Sequence, residues 1–84
     1  MIHRSTLENY EGSFHQLAEE LGDLRYAALA ESLRHFSEKL AKDSQADEKR
    51  GRAKLAKCLA QASDHLGQSA QEIQKAWIIS EPFM

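Results

Sequence analysis

Histidines interleaved with carboxylates are the first residues in this chain that could do chemistry. Glu11, His15 and Glu19 stand four apart, and Glu31, His35 and Glu38 follow at four and three. Either spacing sets its three groups on one face of a helix. Carboxylate and imidazole together could hold a metal, but a di-iron helical bundle needs Glu-x-x-His at matching places on two helices, and that motif is absent. Both sets lie beside the leucine stripes described below, so the reading is solvated ion pairs, with no metal and no cofactor. Cys58 is the only cysteine. Its neighbours Leu55 and Leu59 suggest burial as a small hydrophobe. A nucleophilic thiol would need a histidine or a helix N-terminus close by to lower its pKa. No glycine-rich phosphate loop and no Ser-His-Asp spacing occurs, so no catalytic residue is assigned and the chain is read as not an enzyme.

Two other stretches could recognise a partner. Lys49, Arg50, Arg52, Lys54 and Lys57 place five cations in nine residues. Of these, Arg50, Arg52, Lys54 and Lys57 are the candidate contacts to an anion or a nucleic acid, with Arg50, Lys54 and Lys57 at helical spacing. Against that, Asp47 and Glu48 sit immediately upstream and no aromatic is interleaved, so a solvated face or pairing with acidic helices is the preferred reading. The second stretch is "AWIISEPFM" at residues 76–84. Aromatic residues are enriched in the cores of interfaces. Leu66, Ile73, Trp77, Ile78, Ile79 and Phe83 form the candidate interface.

These residues ride on helices. Val is absent, and the β-branched side chains are only Ile2, Thr6, Ile73, Ile78 and Ile79, too few to build a sheet. Leu7, Tyr10, Phe14, Leu17 and Leu21 recur in steps of three and four, the stripe of an amphipathic helix. Ser5 with Glu8 fits a capping box, and Gly22 suits a left-handed helix end. Asp23 is placed as the N-cap of a second helix, whose stripe is Tyr26, Leu29, Leu33, Phe36 and Leu40. The third stripe is Leu55, Leu59, Ala62, Leu66, Ala70, Ile73 and Trp77, ended by Pro82.

Between the second and third stripes lies "KDSQADEKRGRAK", residues 42–54. Lys39 and Lys42 before, Asp47 and Glu48 after, and Ser44 paired with Asp47 all match the helix-dipole preferences for one helix ending and another beginning. They put the turn near Asp43–Gln45. The competing reading is one helix running from Leu24 to Ile79.

The expected fold is therefore all-α. It is a three-helix antiparallel bundle with a long third helix, in one domain, with helices at about 6–21, 24–42 and 45–79. Helix 3 would be roughly 52 Å long against roughly 24–28 Å for the others. Its C-terminal half would then lack cover, and a second copy would supply it.

Charge and size agree. A chain of 84 residues buries only about 60–65% of the surface it exposes when unfolded. Residues 1–48 carry five basic and ten acidic side chains, and residues 49–84 six and three. Halves of opposite sign favour antiparallel packing within or between chains. No apolar run approaches the ~20 residues of a membrane span, and Met1–Ser5 has none of the character of a signal peptide. The expected setting is the cytoplasm. The expected function is a non-catalytic interaction protein, a small adaptor, chaperone-like or regulatory module acting as a homodimer. The alternative is a nucleic-acid-associated regulator using the basic 49–57 face.

Overall fold

The computed structural model describes residues 3–83. Among these residues it is all-helical, with α1 at Phe14–Gly22, α2 at Tyr26–Lys49, α3 at Ala53–Ser80 and a closing 3-10 turn at Glu81–Phe83. No strand occurs among the described residues, in keeping with the scarcity of β-branched side chains.

The principal packing is α2 against α3, joined by a tight turn into an antiparallel hairpin. The expected hairpin of helices 1 and 2 is not formed, and α1 has little contact with either long helix. The break between the second and third helices exists, but it falls at Arg50–Arg52 rather than at Asp43–Gln45. Only a glycine enters the left-handed region here: Gly51 has φ 76°. Its N–H donates to the Glu48 carbonyl at 3.0 Å, and the Arg52 N–H donates to the Asp47 carbonyl at 2.8 Å. This is the Schellman arrangement, which satisfies the carbonyls a helix end leaves free. Dipole preferences of a few tenths of a kcal/mol each did not interrupt residues 43–46, because none of them is a helix breaker.

Ser44 shows the same point. Read as the cap of a new helix, it instead donates its hydroxyl across the hairpin to the Ala56 carbonyl at 2.6 Å. Lys39 Nζ and Asp43 Oδ1, 2.6 Å apart, support the continuing helix.

The N-terminal segment also differs from expectation. α1 begins at Phe14, not near residue 6. Its capping box is Ser13 with Gln16: Ser13 Oγ accepts the Gln16 N–H at 3.1 Å, and Gln16 Oε1 accepts the Ser13 N–H at 2.7 Å. Gly12, placed mid-helix by the sequence reading, lies before this cap. A Cβ there would sit 2.7 Å from Tyr10 Cε1 and 2.8 Å from Gln16 Oε1, so a larger residue would displace the ends of those two side chains. Asp23 is the C-cap of α1, with φ −84° and ψ −5°, and Arg25 precedes α2 without a side-chain cap. Gly22 is therefore not a left-handed terminus.

With the turn at Gly51 the two long helices are nearly matched, at 24 and 28 residues. The expected overhang of half of helix 3 shrinks to about its last two turns. Among the described residues, no helix is long and apolar enough to cross a membrane.

Candidate interaction surface

The hairpin closes on small side chains. Ala30, Ser37 and Ser44 on α2 and Ala56, Ser63 and Ala70 on α3 repeat every seventh residue. A seven-residue period keeps one face of each helix turned to its neighbour. Ser37 and Ser63 exchange hydrogen bonds. Each Oγ donates to the other residue's carbonyl at 2.7 Å, with the two oxygens 3.1 Å apart. A hydroxyl on so short a side chain reaches a backbone carbonyl of the opposite helix only when the axes lie close. Gly67 keeps the same closeness, with Ser37 Oγ 3.6 Å from where its Cβ would be. The Ser37–Ser63 and Ser44–Ala56 pairs set the register, which brings Ala30 level with Ala70 and Leu33 close to the level of Leu66.

This seam buries little that is hydrophobic. Among the described residues, the buried apolar ones are Ala30, Ala56 and Ala70, and no large side chain is fully enclosed. The leucines flank the seam instead. Leu29, Leu33, Leu40, Leu59, Leu66 and Ile73 are half-buried, while Phe36 and Leu55 are 53% and 46% exposed. They form one face. Leu29, Leu33 and Ile73 line an open groove along it whose other wall is polar, with His65, Gln68 and Glu72, and Leu40, Leu55 and Leu59 line another near the turn together with His3 of the N-terminal segment and the charged Asp43, Asp47, Arg50 and Arg52.

The accessible surface, 6986 Å², exceeds the roughly 5,000 Å² of a compact monomer of this mass. The Cα radius of gyration is 15.2 Å, against about 12 Å for a compact domain of this length. A hairpin with one unsheltered apolar side and a loosely attached α1 accounts for both.

The candidate interface residues divide into two groups. Leu66 and Ile73 belong to this face and Trp77 is half-buried, whereas Ile78, Ile79 and Phe83 are 62%, 71% and 86% exposed at the end of the hairpin. A three-helix bundle would cover the leucine stripes and leave only the terminal cluster exposed; here both are at least partly exposed. The seven-residue recurrence of Ala and Ser was the signal that α2 and α3 meet along their small side chains, leaving the leucines beside the seam.

The basic stretch does not form one helical row. Arg50 ends α2, Arg52 precedes α3, and Lys54 and Lys57 lie on α3. All four are exposed. Arg52 Nη1 is 3.3 Å from Oδ1 of the nearly buried Asp47, which ties the turn together.

The histidines remain on the outside. His15 Nε2 is 3.0 Å from Glu19, and His35 lies 3.6 Å from both Glu31 and Glu38, all with exposed side chains. Among the described residues, no group of three or more His, Cys, Asp or Glu side chains is placed to hold a metal ion. Cys58 is exposed rather than buried, because the seam faces Ala56 and leaves the side of α3 at residue 58 to solvent.

One titrating group stands out. The Tyr10 hydroxyl donates to the Glu20 carboxylate, and this bond, with smaller contributions from desolvation and the Glu20 charge, pushes the phenol above its ordinary value. The bond joins the N-terminal segment to α1. Its contribution to holding that segment is complete below the usual tyrosine pKa of about 10. The contribution is lost as pH rises through the higher folded value. Glu20→Gln removes the charge, and NMR titration of the Tyr10 ring is expected to show its pKa falling back toward the ordinary value. An unchanged midpoint would mean that Glu20 does not hold the phenol in solution.

Fold and surface together define a class, an all-helical protein built on an antiparallel hairpin with a partly exposed leucine face. Comparison with known protein families, curated proteins and solved structures found no match to this chain.

Proposed function

We propose that the chain is a non-catalytic protein–protein interaction module, a small adaptor, chaperone-like or regulatory protein that acts as a helical homodimer. The observation that carries this is the leucine face: a row of large apolar side chains on both long helices, half-buried or exposed and none of them fully enclosed by the chain itself. A contiguous apolar surface of this kind marks an interaction site, and a second copy is the commonest occupant for a small helical protein. Regulation through nucleic acid by Arg50, Arg52, Lys54 and Lys57 has less support, because Asp43, Asp47 and Glu48 crowd the same end and Arg52 is engaged by Asp47.

Sedimentation equilibrium over a wide concentration range tests the proposal. The expected result is reversible association from the 9.5 kDa chain to a species of twice that mass. A single 9.5 kDa species at every concentration would overturn the homodimer.

A further inference from the structure

Resting on the homodimer reading, we infer that the N-terminal segment is a strap over the turn end of the leucine face, which must lift before a second copy can seat there.

The path of the chain carries this. α1 leads into α2 at the open end of the hairpin, through residues 23–25. His3 nevertheless stands at the opposite end, in the groove floored by Leu40, Leu55 and Leu59 and edged by Asp47 and Arg52. Along α2, Tyr26 and Asp43 are about 26 Å apart at 1.5 Å per residue. The segment before α2 therefore returns over the length of the hairpin and reaches its turn. α1 can supply about 14 Å of that path at the same rise, and residues 3–13, at up to about 3.3 Å each, have ample length for the rest.

The segment meets the hairpin at its two ends and little between, since α1 has few contacts with either long helix. That is the build of a strap rather than of a packed third helix. It has structure of its own. The Ser13–Gln16 capping box fixes the start of α1, the Tyr10 hydroxyl donates to Glu20, and Arg4 lies 3.9 Å from Glu8. His3 is itself exposed and Leu55 stays 46% exposed, so the strap walls the groove without sealing it. A contact so light can be displaced. Tethering offsets its weakness, because a short linker holds the segment at an effective concentration on the order of millimolar. A second copy at a lower concentration meets a competitor already in place.

The size of the effect follows from the fraction of chains that are open, because apparent affinity falls by that fraction. Both copies of a homodimer must open. A strap seated two-thirds of the time in each therefore raises the dimer dissociation constant about ninefold.

Position and competition are tested separately in the full chain. A nitroxide on the native Cys58, which is exposed and next in sequence to Leu59, reads where the strap lies. The backbone amides of His3, Arg4 and Ser5 are expected to be broadened by a label on the same molecule. Mixing nitroxide-labelled chain with unlabelled, isotope-enriched chain separates any broadening that arises between copies. Amides that stay sharp would overturn the strap, whatever the state of association.

His3→Gly with Tyr10→Gly removes the side chain at the groove and the tie to α1, and leaves the seam untouched. The intramolecular broadening is expected to fall, and sedimentation should show the dimer dissociation constant lowered about tenfold. Broadening that falls with no change in the constant would overturn the competition and leave the homodimer intact. Wild-type and variant chains that both stay monomeric, with the wild-type amides broadened, would overturn the homodimer reading and the strap's role against a second copy with it.

Discussion

Replacing Ser63 by leucine is expected to destabilise the hairpin by about 3 kcal/mol. Ser63 is 7% exposed at the centre of the seam, where two hydroxyls reach backbone carbonyls on opposite helices at 2.7 Å. A leucine cannot fit that spacing unless the axes separate, and overpacking of this kind costs about 1–3 kcal/mol. Parting the helices also breaks the exchange with Ser37, at about 1 kcal/mol per hydrogen bond. Leucine is the better helix former, but that gain is at most about 0.5 kcal/mol and cannot offset the loss. A chain of this length has about 4–12 kcal/mol to lose, so the melting temperature should fall by about 12–24 °C. Ser63→Ala is the matched control. It removes one donor but preserves the closeness, and it should cost no more than about 1 kcal/mol. Urea unfolding of both variants checks the claim. Equal losses would mean that the hydrogen bond, rather than the spacing, is what the seam requires.

Replacing Gly51 by alanine is expected to cost about 1–2 kcal/mol. At φ 76° an L-residue brings its Cβ too near the following carbonyl oxygen, which accounts for a penalty of this size. The substituted methyl would meet no other atom within 4 Å, so the whole effect lies in the backbone. Gly51→Asn should recover part of the stability, since asparagine tolerates the left-handed region better than other residues. The flanking residues are good helix formers, so a strained turn shifts the balance toward one continuous helix and exchange of α3 between chains. The alanine variant should therefore associate more strongly as well as unfold at lower urea. Unchanged stability would mean that another residue carries the left-handed turn in solution.

Both experiments probe where the chain turns and how closely its long helices meet. The charged residues and the serine near 43–47 match the preferences of a helix boundary, yet each is tolerated inside a helix, and all lie within α2. Gly51 was the one residue in the stretch able to reverse the chain with closed backbone hydrogen bonds. Moving the turn by seven residues lengthens α2, shortens α3 and removes most of the overhang that first suggested a dimer. The case for a partner now rests on Leu33, Phe36, Leu55 and Leu66 along the hairpin as well as on the exposed Ile78, Ile79 and Phe83 at its end.

The sequence by itself determined that the chain is helical, because alanine, leucine, glutamate, glutamine and lysine recur at steps of three and four and almost nothing favours a sheet. It also determined which stripe of the two long helices is apolar. Tertiary structure alone decided which helices pair and which stripe is left over. That choice turns on closeness: Ala30, Ser37 and Ser44 let α2 approach Ala56, Ser63 and Ala70 of α3 until hydroxyls meet carbonyls. Periodicity names the apolar side of a helix, but whether leucine or alanine lies at the contact depends on how near two axes can come, and that distance belongs to the pair rather than to either segment.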